Sequence, residues 1–181
     1  MKNLNFNLVV NHNVIIIMKN LSIFPSFIII LSLFGFSCEK DSLNDNLPSA
    51  TTIGASTMGF LVDGKAWVAK SDDFKVSKTS AVLWPQFGLV IKAVNHPESR
   101  FSMTIANPKE GNYVFGDADE VRYERYDSSI VFSLDPIDTS SSLIFTRYDG
   151  GIVSGKFSFK LKSSNGAIIS VTSGWFDIPI K

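Results

Sequence analysis

A single cysteine, two histidines and no excess of either charge set the first limits on this 181-residue chain. One cysteine cannot close an intramolecular disulfide, and it excludes cysteine-rich zinc or iron–sulfur sites. Seventeen basic residues balance seventeen acidic ones. No basic block stands out, so there is no electrostatic footprint for nucleic acid. The uncharged run from Leu21 to Phe36 has sixteen residues, fewer than the ~20 a spanning helix needs. No motif calls for a metal or a cofactor. What the chain does have is apolar material: 45% hydrophobic and 12% aromatic residues, enough for one core in a length that suits a single domain.

The amino-terminal third reads as targeting sequence. Lys19 precedes the apolar run, small residues follow it, and Cys38 comes next. That order is the layout of a secretory signal peptide. Gly35-Phe36-Ser37-Cys38 resembles a lipobox, the site at which bacterial lipoproteins are acylated on cysteine and cleaved just before it. Ser37 has the small size the peptidase requires, whereas Gly35 stands where leucine is more usual. The resemblance makes Cys38 the lipidation site and residues 18–37 the signal peptide. Met18-Lys19-Asn20 repeats the opening Met1-Lys2-Asn3, so translation is expected to start at Met18, with residues 1–17 a mis-annotated extension. Residues 38–56 are rich in Ser, Thr, Asn and Asp, a composition expected to remain a disordered tether. Glu39-Lys40-Asp41 is similar to the surface-export signal of Bacteroidota lipoproteins, although Ser42 breaks its acidic run. Without Lys2 and Lys19 the mature chain has two more acidic than basic side chains, too mild a surplus to select a charged partner.

Residues 57–181 read as one all-β domain. Asp63-Gly64 lies between two apolar runs and suits a type I′ turn, in which both central residues have positive φ. Phe87 to Val94 is a dense apolar run, and Phe101, Met103 and Ile105 alternate with small polar residues. Asn107 to Gly111 is a turn cluster, followed by Tyr113 and Phe115. Ile130, Phe132 and Leu134 alternate until Asp135-Pro136 stops them. Phe157, Phe159 and Leu161 share one face, opposite Ser158, Lys160 and Lys162. Further on, Ile169 and Val171 set an odd-numbered apolar face but Phe176, Ile178 and Ile180 an even one. A strand changes phase only by inserting a residue, which predicts a β-bulge near Ser173-Gly174. Eight to ten short strands, with turn signals every ~8–12 residues, imply an antiparallel meander closed into a barrel or sandwich. A lipocalin-like barrel with an aromatic-lined cavity is a special case.

Several motifs have plain structural explanations. Gly59-x4-Gly64-Lys65 and Gly150-x4-Gly155-Lys156 match the outer frame of a phosphate-binding loop. Ala66 and Phe157, however, stand where a hydroxyl must hold Mg²⁺, and both stretches sit between strands. Asp117, Asp119 and Glu120 fail the EF-hand pattern and read as a solvated loop. His96, beside Pro97, is a lone turn histidine with no triad pattern around it. No catalytic residue is assigned. Trp84 beside Pro85, and Arg122, Tyr123 and Tyr126 in one short stretch, bring aromatic and cationic groups near loops, as binding surfaces do. They are the candidate ligand-binding residues.

Val62-Asp63-Gly64-Lys65-Ala66-Trp67, then Val153-Ser154-Gly155-Lys156-Phe157-Ser158-Phe159, then Val171-Thr172-Ser173-Gly174-Trp175-Phe176-Asp177-Ile178 occur in that order. Together they resemble an uncharacterised family of Bacteroidota lipoproteins, all-β domains behind a lipobox. The resemblance runs from Met58 to Ile178 plus the signal, and its motifs are structural, so it transfers no activity. It implies an outer-membrane lipoprotein, periplasmic or surface-exposed, tied to the membrane by its lipid. The expected role is structural or the binding of a small molecule, a glycan or a protein. The alternative is a hydrolase of surface glycans, which requires two carboxyl groups roughly 5–9.5 Å apart in one cleft.

Overall fold

Alternating apolar residues and turn pairs build an all-β architecture in the computed structural model, which describes residues 46–135 and 138–181. The lipobox, Cys38 and the signal segment lie outside the described residues, as does Pro136. Among the described residues there is no helix. The strands are β1 (Thr57–Val62), β2 (Lys65–Val68), β3 (Thr79–Trp84), β4 (Gly88–Asn95), β5 (Ser99–Ile105) and β6 (Gly111–Tyr113). They continue with β7 (Glu120–Arg125), β8 (Ile130–Leu134), β9 (Ser142–Tyr148), β10 (Ile152–Ser163) and β11 (Ile168–Pro179). Eleven strands stand against the expected eight to ten, and β3 and β9 are among those that no segment singled out in the sequence covers.

All eleven belong to one sheet, in the order β2-β1-β11-β10-β8-β7-β5-β4-β3, with β9 on β10 and β6 on β9. Every ladder is antiparallel, and the sheet curls into a half-barrel. β10 is the spine. β11 runs along one side of it, while the other side is shared by β9, from Val153 to Ser158, and β8, from Leu161 to Ser163. Isolated parallel bridges, Lys70 with Asn95 and Ala81 with Ile180, draw the outer edges together. Fewer open edges mean fewer unpaired amides to template aggregation.

The Asp63-Gly64 turn forms as its sequence predicts, with φ of 48° and 79°. The bulge is also where the change of phase requires it. Phe157 pairs with Gly174 and Phe159 with Val171, so β11 uses three steps where β10 uses two, and Ser173 has φ 51°. The extra residue turns Phe176 and Ile178 inward alongside Val171. Gly174 is needed for a second reason: a Cβ there would drive into the Phe157 ring.

Aromatic rings fill the concave side. Phe60 stacks on Trp67 at 4.4 Å and lies 4.9 Å from Phe101 and 5.6 Å from Phe157. Phe157 stacks on Phe101 and Phe159 in turn, at 5.4 and 5.1 Å. These rings occupy the space that a carrier barrel would keep for cargo. Burying each phenylalanine contributes roughly 1.5–3 kcal/mol, and favourable ring pairs add about 0.5–1.5 kcal/mol.

The convex side holds a feature that composition alone does not suggest. Residues 38–56 read as a disordered tether, yet the described part packs on β11. Asp177, fully buried on the face opposite Phe176, accepts hydrogen bonds from Thr51 Oγ1 (2.5 Å) and the backbone N–H groups of Ile53 (3.0 Å), Gly54 (2.8 Å) and Ala55 (3.1 Å). Ser154 Oγ donates a fifth from β10 at 2.7 Å. Arg147 donates to the Thr52 carbonyl, and Ala50 lines the same surface opening as Trp175. Residues 50–55 are therefore a strap, because one carboxylate collects amides that the segment cannot satisfy within itself.

Candidate functional site

Antiparallel pairing collects the β1–β2, β4–β5, β7–β8 and β10–β11 turns at one end of the half-barrel. Between them opens a cleft of about 820 Å³, walled chiefly by Trp67, Asn95, Ser99, Tyr123, Tyr126 and Asp127. Strand alternation aims the inner residues at it: Asn95 shares the buried face of β4 with Leu89, Ile91 and Ala93. Trp67 and Tyr123 are continuous with the core through Phe60. The Trp67 indole donates to Ser99 Oγ at 2.8 Å, which fixes the ring. Tyr126 is 39% exposed, and its backbone N–H is tied to the Glu98 carbonyl at 3.0 Å.

One polar atom here is unanswered. Asn95 is only 8% exposed, and its Oδ1 has no hydrogen-bond partner. A buried acceptor in that condition costs about 1–3 kcal/mol. Apart from Lys65 on the exposed rim, the charges around it are paired. Arg125 Nη2 lies 2.7 Å from Asp127 Oδ2, and Lys70 Nζ lies 3.6 Å from Glu98. Asp63 accepts from the Ser170 amide at 2.8 Å. Hydrogen bonds from Arg125 and then Ser128 hold the Asp127 carboxyl below its ordinary pKa.

The four candidate ligand-binding residues divide. Tyr123 and Tyr126 meet in the cleft. Arg122 points to the outer face of β7, where its Nε pairs with Glu120 at 2.5 Å. Trp84, at the far end of β3, is 52% exposed beside Leu83 and Phe87 at the opposite end of the half-barrel. Arg125 and Asn95 line the cleft although the sequence reading did not select them. Asn95 ends an apolar run, and only its unpaired oxygen distinguishes it.

The acidic cluster has a local use. Asp119 accepts from the amides of Ala106 (2.8 Å) and Gly116 (2.7 Å) and from the Tyr113 hydroxyl (2.9 Å), closing the β6–β7 loop. Among the described residues no group of three or more His, Cys, Asp or Glu side chains is placed to hold a metal ion. The perturbed carboxyls Asp127, Asp138, Asp149 and Asp177 are all pushed down. A glycosidase acid must be pushed up.

Fold and cleft together define an all-β half-barrel domain with a ligand-sized opening at one end. Residues 61–179 match the family described as "Domain of unknown function (DUF6252)", and the chain belongs to that family. No curated protein and no solved structure matches it significantly.

Proposed function

We propose that the chain is a lipid-anchored protein of the bacterial outer membrane whose β-domain binds a small polar ligand in the end cleft. The observation that carries the binding role is the cleft itself, an opening of about 820 Å³ lined by Trp67, Tyr123 and the half-exposed Tyr126. The anchor rests on Cys38 at the end of an apolar leader, and two or more acyl chains there would give stable attachment. The domain would then face the periplasm or the cell exterior. Binding is preferred to glycan hydrolysis because the perturbed carboxyl in the cleft, Asp127, is held ionised by Arg125 rather than kept as a proton donor.

Two measurements test the two halves separately. Metabolic labelling with an alkyne fatty acid tags the wild-type protein and not Cys38→Ala; equal labelling removes the anchor. A thermal-shift screen of polar fragments finds compounds that raise the Tm of the wild type but not of Tyr126→Ala. Compounds that stabilise both alike place binding elsewhere.

A further inference from the structure

Given the lipid anchor of that reading, we propose that the tip of the β3–β4 hairpin is a second membrane contact, seated in the interface of the same bilayer. Leu83, Trp84, Pro85, Gln86 and Phe87 are exposed in succession. No charge occurs from Thr79 to Ile91, between Lys78 and Lys92. The turn is firmly built: Leu83 pairs with Leu89, Trp84 with Gly88, and the Phe87 amide donates to the Trp84 carbonyl at 3.2 Å. Its outer strand is pinned where the Lys181 amide donates to the Ala81 carbonyl at 2.9 Å. The apolar side chains are thus presented on a fixed scaffold, and little backbone ordering opposes binding.

Further exposed apolar groups lie at this end. A Cβ on Gly88 would strike the Ile105 and Ala106 carbonyl oxygens, so the tip adjoins the loop after β5. Ala106 in turn lines one opening with the exposed Val114. A Cβ on Gly54 of the strap would touch Ile152 and Pro179, and Ile180 bridges Ala81, which brings the exposed Ile53 close to the same end.

The occupant follows from the chemistry and from the tether. Aromatic rings favour the headgroup level of a bilayer, where the ring sheds water and a polar edge such as the indole N–H stays wet. A turn keeps backbone groups without ladder partners, so it is confined to that level and does not enter the hydrocarbon. A partner protein would meet a rim of hydrogen-bonding and charged groups, whereas Gln86 is the one polar side chain from Leu83 to Phe87. Asn46 follows Cys38 by eight residues, at most about 30 Å of chain. Just beyond it, Leu47 and Pro48 lie against Gly59. Gly59 pairs with Trp175, Ile180 bridges Ala81 in parallel, and Trp84 lies three residues further on. Those steps add to about 26 Å along the strands, or about 20 Å in height at the ~35–45° tilt of barrel strands. The tether is long enough to bring its lipid level with the tip, and too short to let the domain swing clear of the bilayer.

The test uses the mature, acylated chain reconstituted into phosphatidylcholine vesicles, with and without bromine on the lipid acyl chains. Trp84 is 52% exposed, against 4% for Trp67 and 6% for Trp175, so it is the indole that a contact quencher can reach. Brominated lipid should quench the wild-type emission and leave that of Trp84→Phe almost unchanged. Leu83→Ser combined with Phe87→Ser should reduce the quenching about twofold or more. The Tm should stay unchanged, since both positions are exposed. Vesicle-bound protein whose emission ignores bromine overturns the proposal. So does a blue shift of Trp84 that grows with protein concentration and is indifferent to bromine, because a second copy then covers the tip. Labelling of Cys38 judges the anchor separately. If that labelling fails, the unacylated chain titrated with the same vesicles must still show saturable quenching of Trp84, and its absence overturns the tip contact.

Discussion

Replacing Asp177 by asparagine should cost about 2–3 kcal/mol at neutral pH and almost nothing near pH 2. Burial alone would raise the pKa of this carboxyl. Hydrogen bonds from Thr51, Ala55, Ser154 and Gly54 outweigh that effect and bring it to about 2, against 3.8 for a free aspartate. Each unit of difference corresponds to ~1.36 kcal/mol, so the ionised group contributes about 2.5 kcal/mol to folding. The folded pKa is the lower one. The contribution is therefore complete above the unfolded value and is lost as pH falls from about 5 through 2. At pH 2 the wild-type carboxyl is about half protonated and most of its contribution is gone, and the asparagine side chain is nearly isosteric with the protonated form. Urea denaturation followed by tryptophan fluorescence suits the experiment, since Trp67 and Trp175 are both buried. With an m-value of roughly 1–3 kcal/mol/M, the midpoints should differ by about 1–2 M at pH 7 and converge by pH 2. A gap that is absent, or constant with pH, would refute the assignment of the strap to an ionised Asp177. Hydrogen exchange at Ile53, Gly54 and Ala55 gives an independent reading: their amides should lose protection in the variant even where the core keeps its own.

The remaining predictions concern the sheet and a loop. Gly174→Ala places a methyl group in the Phe157 ring and should lower stability by about 1–3 kcal/mol in the same assay. Gly64→Ala meets nothing within 4 Å and should lose only about 1 kcal/mol, from its φ of 79°; equal losses would contradict the close approach at Gly174. Phe60→Ala should be the costliest of the three, at about 3–5 kcal/mol, because four rings surround that side chain. Burial first, then the hydrogen bond to Asp119, raises the Tyr113 hydroxyl to about 12. Spectrophotometric titration at alkaline pH should show it ionising well after a free tyrosine, and Asp119→Asn should move it back toward 10.

Local patterns made most of the sheet readable. Phe157, Phe159 and Leu161 alternate with polar neighbours, and that period survives because one face of β10 meets the core and the other meets solvent. The bulge was legible for the same reason: Val171 and Phe176 cannot both face inward without an added residue between them. The strap was not. Thr51 to Ala55 are small or polar, and they are ordered by a carboxylate 122 to 126 positions away. Composition reports what a segment can bury, not whether a distant acceptor will gather its amides. Asp177 itself sits in an apolar run, between Phe176 and Ile178, and that placement was the one available hint.

The cleft was half legible, and the division has a geometric cause. Alternation along β7 turns Tyr123 inward and Arg122 outward, so two residues adjacent in sequence part company at the sheet. Tyr126 follows the last residue of that strand, and in the turn it is released from the two-residue period and swings to the side of Tyr123. Trp84 has the same chemistry as Trp67, but a hairpin tip can lie at either end of a half-barrel, and sequence does not say which. Register does: Trp84 pairs with Gly88 at one end of β4, whereas Asn95 closes the other.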